Sequence, residues 1–186
     1  MDGFNSIGRM VTGWFVILLA TVFGLGLLFH SEVDRRRDKM IRVFDLAKEY
    51  RISLRSTSQS FADRWNEFYD DSVDTTNNNG NLTEQAYDDV VAHFLQADSN
   101  RANYEALAGF YETVGECVKA GLCDFWYARE SFGNDIVTFY HSMYPQLQQE
   151  YPHGPEGMVD FVNRMRDADR GASHPGWEDR VASWAY

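Results

Sequence analysis

The chain has 186 residues, 44% of them hydrophobic and 15% aromatic, which excludes intrinsic disorder and leaves room for one domain with a sizeable core. Its formal net charge is −11. Between Asp70 and Asn100 stand seven carboxylates and no Lys or Arg, so phosphate backbones are repelled there and nucleic acid is excluded as a partner.

Val11 to Phe29 (VTGWFVILLATVFGLGLLF) carries no charge over 19 residues, a helix of about 29 Å against a hydrocarbon core of about 30 Å. This predicts a transmembrane anchor. A cleaved signal peptide has a shorter apolar region followed by a small-x-small site, whereas Phe29, His30, Ser31 and Glu32 follow here. Arg9 alone precedes the run, and Arg35, Arg36, Arg37, Lys39 and Arg42 follow it. Because the positive flank stays in the cytoplasm, the expected placement is an inner or cytoplasmic membrane, single-pass, with the N-terminus outside and the rest inside. The same five residues form a lipid-facing basic cluster suited to anionic headgroups.

Gly13, Gly24 and Gly26 thin one side of the span and allow a second helix to approach closely. Gly26 also lies four residues before His30, a small-xxx-His arrangement like that beside tetrapyrrole ligands in antenna helices. An interfacial histidine is the plainer reading, so His30 is the one position at which a cofactor ligand would be sought and no cofactor is assigned.

From Glu32 to about Tyr69 there is no Pro or Gly, and apolar residues recur at steps of three and four, predicting a long juxtamembrane helix. Val33, Met40, Ala47, Leu54, Phe61 and Phe68 fall seven apart. Phe44 and Trp65 lie on the companion register, together with Arg37, Arg51 and Ser58. This is a heptad seam with polar interruptions, to be buried against the same chain folded back or against a neighbouring subunit.

Asp70 to Leu82 reads as a polar loop. Thr75, Asn77, Asn79, Gly80 and Leu82 match places in an EF-hand loop, but Thr75 stands for the first Asp and Ala86 for the closing Glu, removing most of the charge compensation for calcium. Asn81-Leu82-Thr83 is a glycosylation sequon, relevant only in the reverse orientation.

Thr83 is a good N-cap for a helix to about Leu95, with Tyr87, Val90, Val91 and Phe94 on one face. A second helix, about 101–120, presents Tyr104, Leu107, Phe110, Tyr111, Val114 and Val118, with Gly121 placed to end it. Asp124 should cap a short helix to Ser131, Gly133 should separate it from one over about 134–149, and Pro145 should kink that element. After Pro152 to Pro155, Glu156 to Arg166 is helical again. The tail holds Trp177, Val181 and Trp184 at helical spacing. Cys117 and Cys123 are too few for a metal site and lack redox spacing, and are expected as reduced thiols near the core.

No HExxH, GxSxG, P-loop or dinucleotide fingerprint is present. His93 has Asp89 one helical turn before it and Ala97 one turn after, which makes no metal site. Arg129 and His141 are too far apart for the signature of membrane-linked helical ribonucleases. No catalytic residue, metal ligand or cofactor is therefore assigned.

Arg101, Tyr104, Glu105 and Leu107, then Phe110, Gly115 and Gly121-Leu122, then Asp124, Phe132 and Tyr140, together with the leading apolar span, resemble a prokaryotic family of membrane-anchored helical proteins with a domain of unknown function. The likeness covers about three quarters of the chain. It implies an N-terminal transmembrane helix joined to a helical domain, and the family lends no activity.

The expected architecture is all-α: an anchor (1–31) continuing into a long juxtamembrane helix (32–69), a polar loop (70–82), a small acidic helical bundle (83–170) and a C-terminal docking tail (171–186). The expected function is a non-enzymatic scaffold or accessory subunit of a larger membrane complex, for example an energy-converting one. Its partners are the lipid bilayer and other membrane subunits or copies of itself. Contacts are expected at Gly13, Gly24, Gly26, Arg37, Phe44, Arg51, Leu54, Phe61, Trp65, Trp177 and Trp184. The alternatives are a homo-oligomeric pore or effector, as in cell defence, and an enzyme without a known motif.

Overall fold

The computed structural model describes residues 31–76, 83–151 and 154–171. The expected span Val11–Phe29, with Gly13, Gly24, Gly26 and neighbouring His30, lies outside the described residues, as do Trp177 and Trp184. Among the described residues all regular structure is helical, and no helix is long and apolar enough to cross a membrane.

The chain divides into two compact units, residues 1–41 and 42–186. In the first, residues 31–41 are helical, Arg35, Arg36 and Arg37 are exposed, and Arg36 pairs with Glu32 one turn back. Helix α1 comprises residues 31–49.

In the second unit α1 gives way to one π turn, Tyr50–Leu54, in which the Arg55 N–H bonds the Tyr50 carbonyl five residues back. Helix α2 follows, Arg55–Thr76. It runs past the expected end at Tyr69 because nothing between Asp70 and Thr76 breaks a helix, and the Ser72 hydroxyl donates to the Phe68 carbonyl along it at 2.7 Å.

Helix α3, Glu84–Phe94, begins under the Thr83 cap, whose Oγ1 accepts from the Ala86 N–H at 3.2 Å. Helix α4, Asp98–Lys119, starts three residues earlier than expected. The Asn100 side-chain amide donates to the Phe94 carbonyl at 2.9 Å, tying the end of α3 to the start of α4.

Helix α5, Phe125–Ser142, is unbroken at Gly133. The glycine is used for approach instead of for a break, since a Cβ there would lie 2.9 Å from the Met165 side chain. Asp124 caps α5 by accepting from the Trp126 and Tyr127 N–H groups. The break comes at Met143, after which Pro145 sits in the first turn of α6, Tyr144–Glu150, where a missing N–H costs nothing. Helix α7 spans Glu156–Gly171.

Helix α4 is the centre of the bundle and packs on α2, α5 and α7. The face read from its sequence, Tyr104, Leu107, Phe110, Tyr111, Val114 and Val118, is buried throughout. Burial of such side chains stabilises by about 1.5–3 kcal/mol each, and aromatic pairs fill the space around them: Phe139 stacks on Tyr104 at 5.7 Å and meets Tyr111 edge-on at 5.2 Å.

The cysteines depart from expectation. Cys117 and Cys123 are joined as a disulfide. Gly121 takes φ +68° at the end of α4, and the Leu122 and Cys123 N–H groups both fold back onto the Cys117 carbonyl. This reversal brings the two Cα atoms to 5.2 Å, which the spacing along a straight helix would not.

Candidate functional site

The π turn decides which residues are offered to the outside by the stalk, the helical run of α1, the turn itself and α2. A π turn holds one residue more than an α turn, so the buried stripe slips by one position across it. Downstream, the expected seam holds: Phe61 and Trp65 are in the core, and Leu54 and Phe68 pack against it. Upstream, Val43 and Tyr50 are buried in place of Phe44 and Arg51. Phe44 is 64% exposed and Ile52, within the turn, 73%. Arg37, in the first unit, and Arg51 are also exposed.

Tyr50 is held where the turn puts it. Its ring stacks on Phe110 at 5.3 Å and meets Phe132 edge-on. Its hydroxyl donates to Asp135 Oδ2 at 2.7 Å and lies 3.3 Å from the Tyr111 hydroxyl, which in turn lies 3.2 Å from Ser58 Oγ. Ser58 from α2, Tyr111 from α4 and Asp135 from α5 are thus linked through the π-turn residue in one polar chain inside the bundle. Desolvation pushes the phenols of Tyr50 and Tyr111 above their ordinary value, so both stay neutral and able to donate. A chain of neutral donors ending on a carboxylate fixes helix positions.

The other internal polar groups act in the same manner. Glu150 accepts from Arg101 at 2.5 Å and from the Tyr104 hydroxyl at 3.0 Å. Glu112 accepts the Gly157 and Met158 N–H groups, one on each oxygen, at 2.9 and 3.0 Å. A carboxylate there meets the positive end of the α7 dipole.

The histidines are placed apart. His93 lies on the rim of α3 with its ring against Phe68. His141, at the end of α5, is held below the ordinary imidazole value by desolvation and by the Arg166 guanidinium. Among the described residues no group of three or more His, Cys, Asp or Glu side chains is arranged to hold a metal ion.

Large exposed apolar side chains therefore stand on the stalk at Phe44 and Ile52, the latter beside the exposed Arg51, and in a group at the start of α5. There Leu122, Trp126 and Tyr127 are all more than 40% exposed, and Tyr127 lies 6.2 Å from Phe44. Comparison with protein-family models, curated proteins and solved structures finds no match. Ile52, Trp126 and Tyr127 escape the sequence reading because single exposed apolar residues carry no periodic signal.

Proposed function

We propose that the protein is a non-enzymatic, single-pass membrane scaffold or accessory subunit, anchored by Val11–Phe29 and presenting its stalk to neighbouring subunits of a larger membrane complex. The observation that carries this reading is the outward strip beside the π turn, where Phe44 and Ile52 are left 64% and 73% exposed next to the exposed Arg51. Large apolar residues beside Arg are the composition of an interface centre. Native-size analysis in mild detergent at physiological expression tests it. A species larger than the monomer is expected, reduced by Phe44→Glu with Ile52→Glu, and recovery of a lone monomer from the unaltered protein overturns the reading.

The five basic residues after the span support placing the bundle on the cytoplasmic side. The Cys117–Cys123 bond favours the opposite placement, because such bonds persist in oxidising compartments. Labelling intact cells with a membrane-impermeant reagent at a cysteine introduced at Ser31 separates the two. Protection of that cysteine is expected for the cytoplasmic bundle, and labelling reverses the orientation.

A further inference from the structure

The stalk encodes two ways of lying on the bundle, one position apart. Phe44, Arg51, Ser58 and Trp65 fall seven apart in the sequence, yet Val43 and Tyr50 take the packed side while Phe44 and Arg51 stay exposed. The π turn absorbs the difference by holding one residue more than an α turn. Each packed residue upstream of Leu54 therefore has a rival beside it. Phe44 follows Val43 and already meets the Tyr127 ring of α5 at 6.2 Å. Its phenyl ring brings more apolar area to bury than the isopropyl group of Val43. Arg51 follows Tyr50, whose hydroxyl donates to Asp135 Oδ2 at 2.7 Å. A guanidinium donates to a carboxylate more strongly than a neutral phenol does. The observed register is held by the fastening of Tyr50, with its ring on Phe110 and Phe132 and its hydroxyl on Asp135.

We propose that the π turn at Tyr50–Leu54 is a two-position register switch. In the second position the same residues form a regular α-helix, residues 42–49 are turned by about 100°, Phe44 replaces Val43 on the packed side and Arg51 replaces Tyr50 opposite Asp135. Packed helices move between discrete arrangements and do not deform continuously. The switch gates the stalk as a contact surface, because Phe44 is offered to the outside in one position and withdrawn in the other. A partner that takes Phe44 binds the π form and draws the population toward it, a consequence that rests on the scaffold reading. The two positions themselves rest on packing within one chain, so a protein that proved to be a lone monomer would still switch.

Hydroxyl-radical footprinting of the full chain in detergent micelles tests the switch. Tyr50→Ala is expected to lower oxidation of Phe44 several-fold while Trp65, in the core, keeps its rate. Simple loosening of the stalk cannot protect a side chain that is already exposed. Tyr50→Phe, which removes only the hydroxyl, should move the Phe44 rate in the same direction by less, and it carries the test if Tyr50→Ala exposes Trp65. Adding Arg51→Ala, or deleting Ser53 so that the turn has no extra residue to release, should restore the Phe44 rate. An unchanged or raised Phe44 rate in the Tyr50 variants overturns the proposal. Protection that persists after deletion of Ser53, or that falls on dilution and so belongs to a second copy, overturns it as well.

Discussion

Gly115 of α4 and Gly157 of α7 approach so closely that a Cβ built on Gly115 would lie 2.2 Å from the Gly157 carbonyl carbon, and one built on Gly157 would lie 2.5 Å from the Glu116 nitrogen. The neighbours are backbone atoms and cannot turn aside. The two helices are in contact main chain to main chain, and the fully buried Met158 and Phe161 are seated beyond that point.

Gly115→Ala should therefore force α4 and α7 apart, at a cost of about 3 kcal/mol or more. Gly109→Ala, on the exposed side of α4 with nothing within 4 Å of its Cβ, should stabilise by about 0.4–1 kcal/mol. Urea unfolding of the two variants beside the unaltered protein checks the contrast. Equal effects would contradict the close approach.

Loss of the α7 cap is the next expectation. Glu112→Ala removes the acceptors of the Gly157 and Met158 N–H groups and should cost about 1–2 kcal/mol. Amide hydrogen exchange should rise first at those two positions, and a uniform rise across the bundle would argue against a local cap.

Alkaline pH should unfold the bundle. Burial raises the phenols of Tyr87, Tyr104 and Tyr111 above the free value of 10.0, and the Glu150 carboxylate adds to the effect at Tyr104. A raised folded value means the stabilisation is fully present below the free value. As pH climbs past 10.0 the unfolded chain releases protons that the folded chain retains, and stability falls. The phenolate absorbance that Tyr104→Phe removes should appear together with loss of helical circular dichroism, and that substitution should make the fall shallower. Its appearance well before unfolding would refute the burial of the Tyr104 ring.

Reducing the Cys117–Cys123 bond should cost modestly, about 2 kcal/mol or less, because the loop it closes is short, six residues in sequence separation. Thermal unfolding with and without reductant measures this. The fold around Gly121 should survive reduction, since its backbone hydrogen bonds to the Cys117 carbonyl are independent of the sulfurs.

Local signals were legible where a single residue type determines the backbone. Thr83 and Asp124 cap their helices, and Gly121 takes the left-handed conformation. The apolar face of α4 is equally plain, because its period holds over about four turns, from Tyr104 to Val118. Gly133 misled, since a glycine chosen for close approach to Met165 looks in sequence like one that ends a helix. The reversal at Gly121 is legible, but the Cys117–Cys123 bond it permits is not, because a bundle placed in the cytoplasm is expected to keep its thiols reduced. The stalk register failed for another reason: the stripe through Phe61 and Trp65 extrapolates upstream to Phe44 and Arg51, and only Tyr50's partners on α4 and α5 show that Val43 and Tyr50 are turned inward. Partners that far away in sequence leave no mark in a local pattern.

The π turn at Tyr50–Leu54 also lets the stalk carry one residue more than a regular helix would. Deleting one residue there would restore an uninterrupted α-helix with Val43 and Tyr50 still on the packed side, whereas regularising the turn at full length would turn residues 42–49 by about 100° and bring Phe44 inward in place of Val43. The same residues in those two arrangements would show different faces to the outside. Tyr50, fastened by its hydroxyl to Asp135, is the index mark against which this rotation is set.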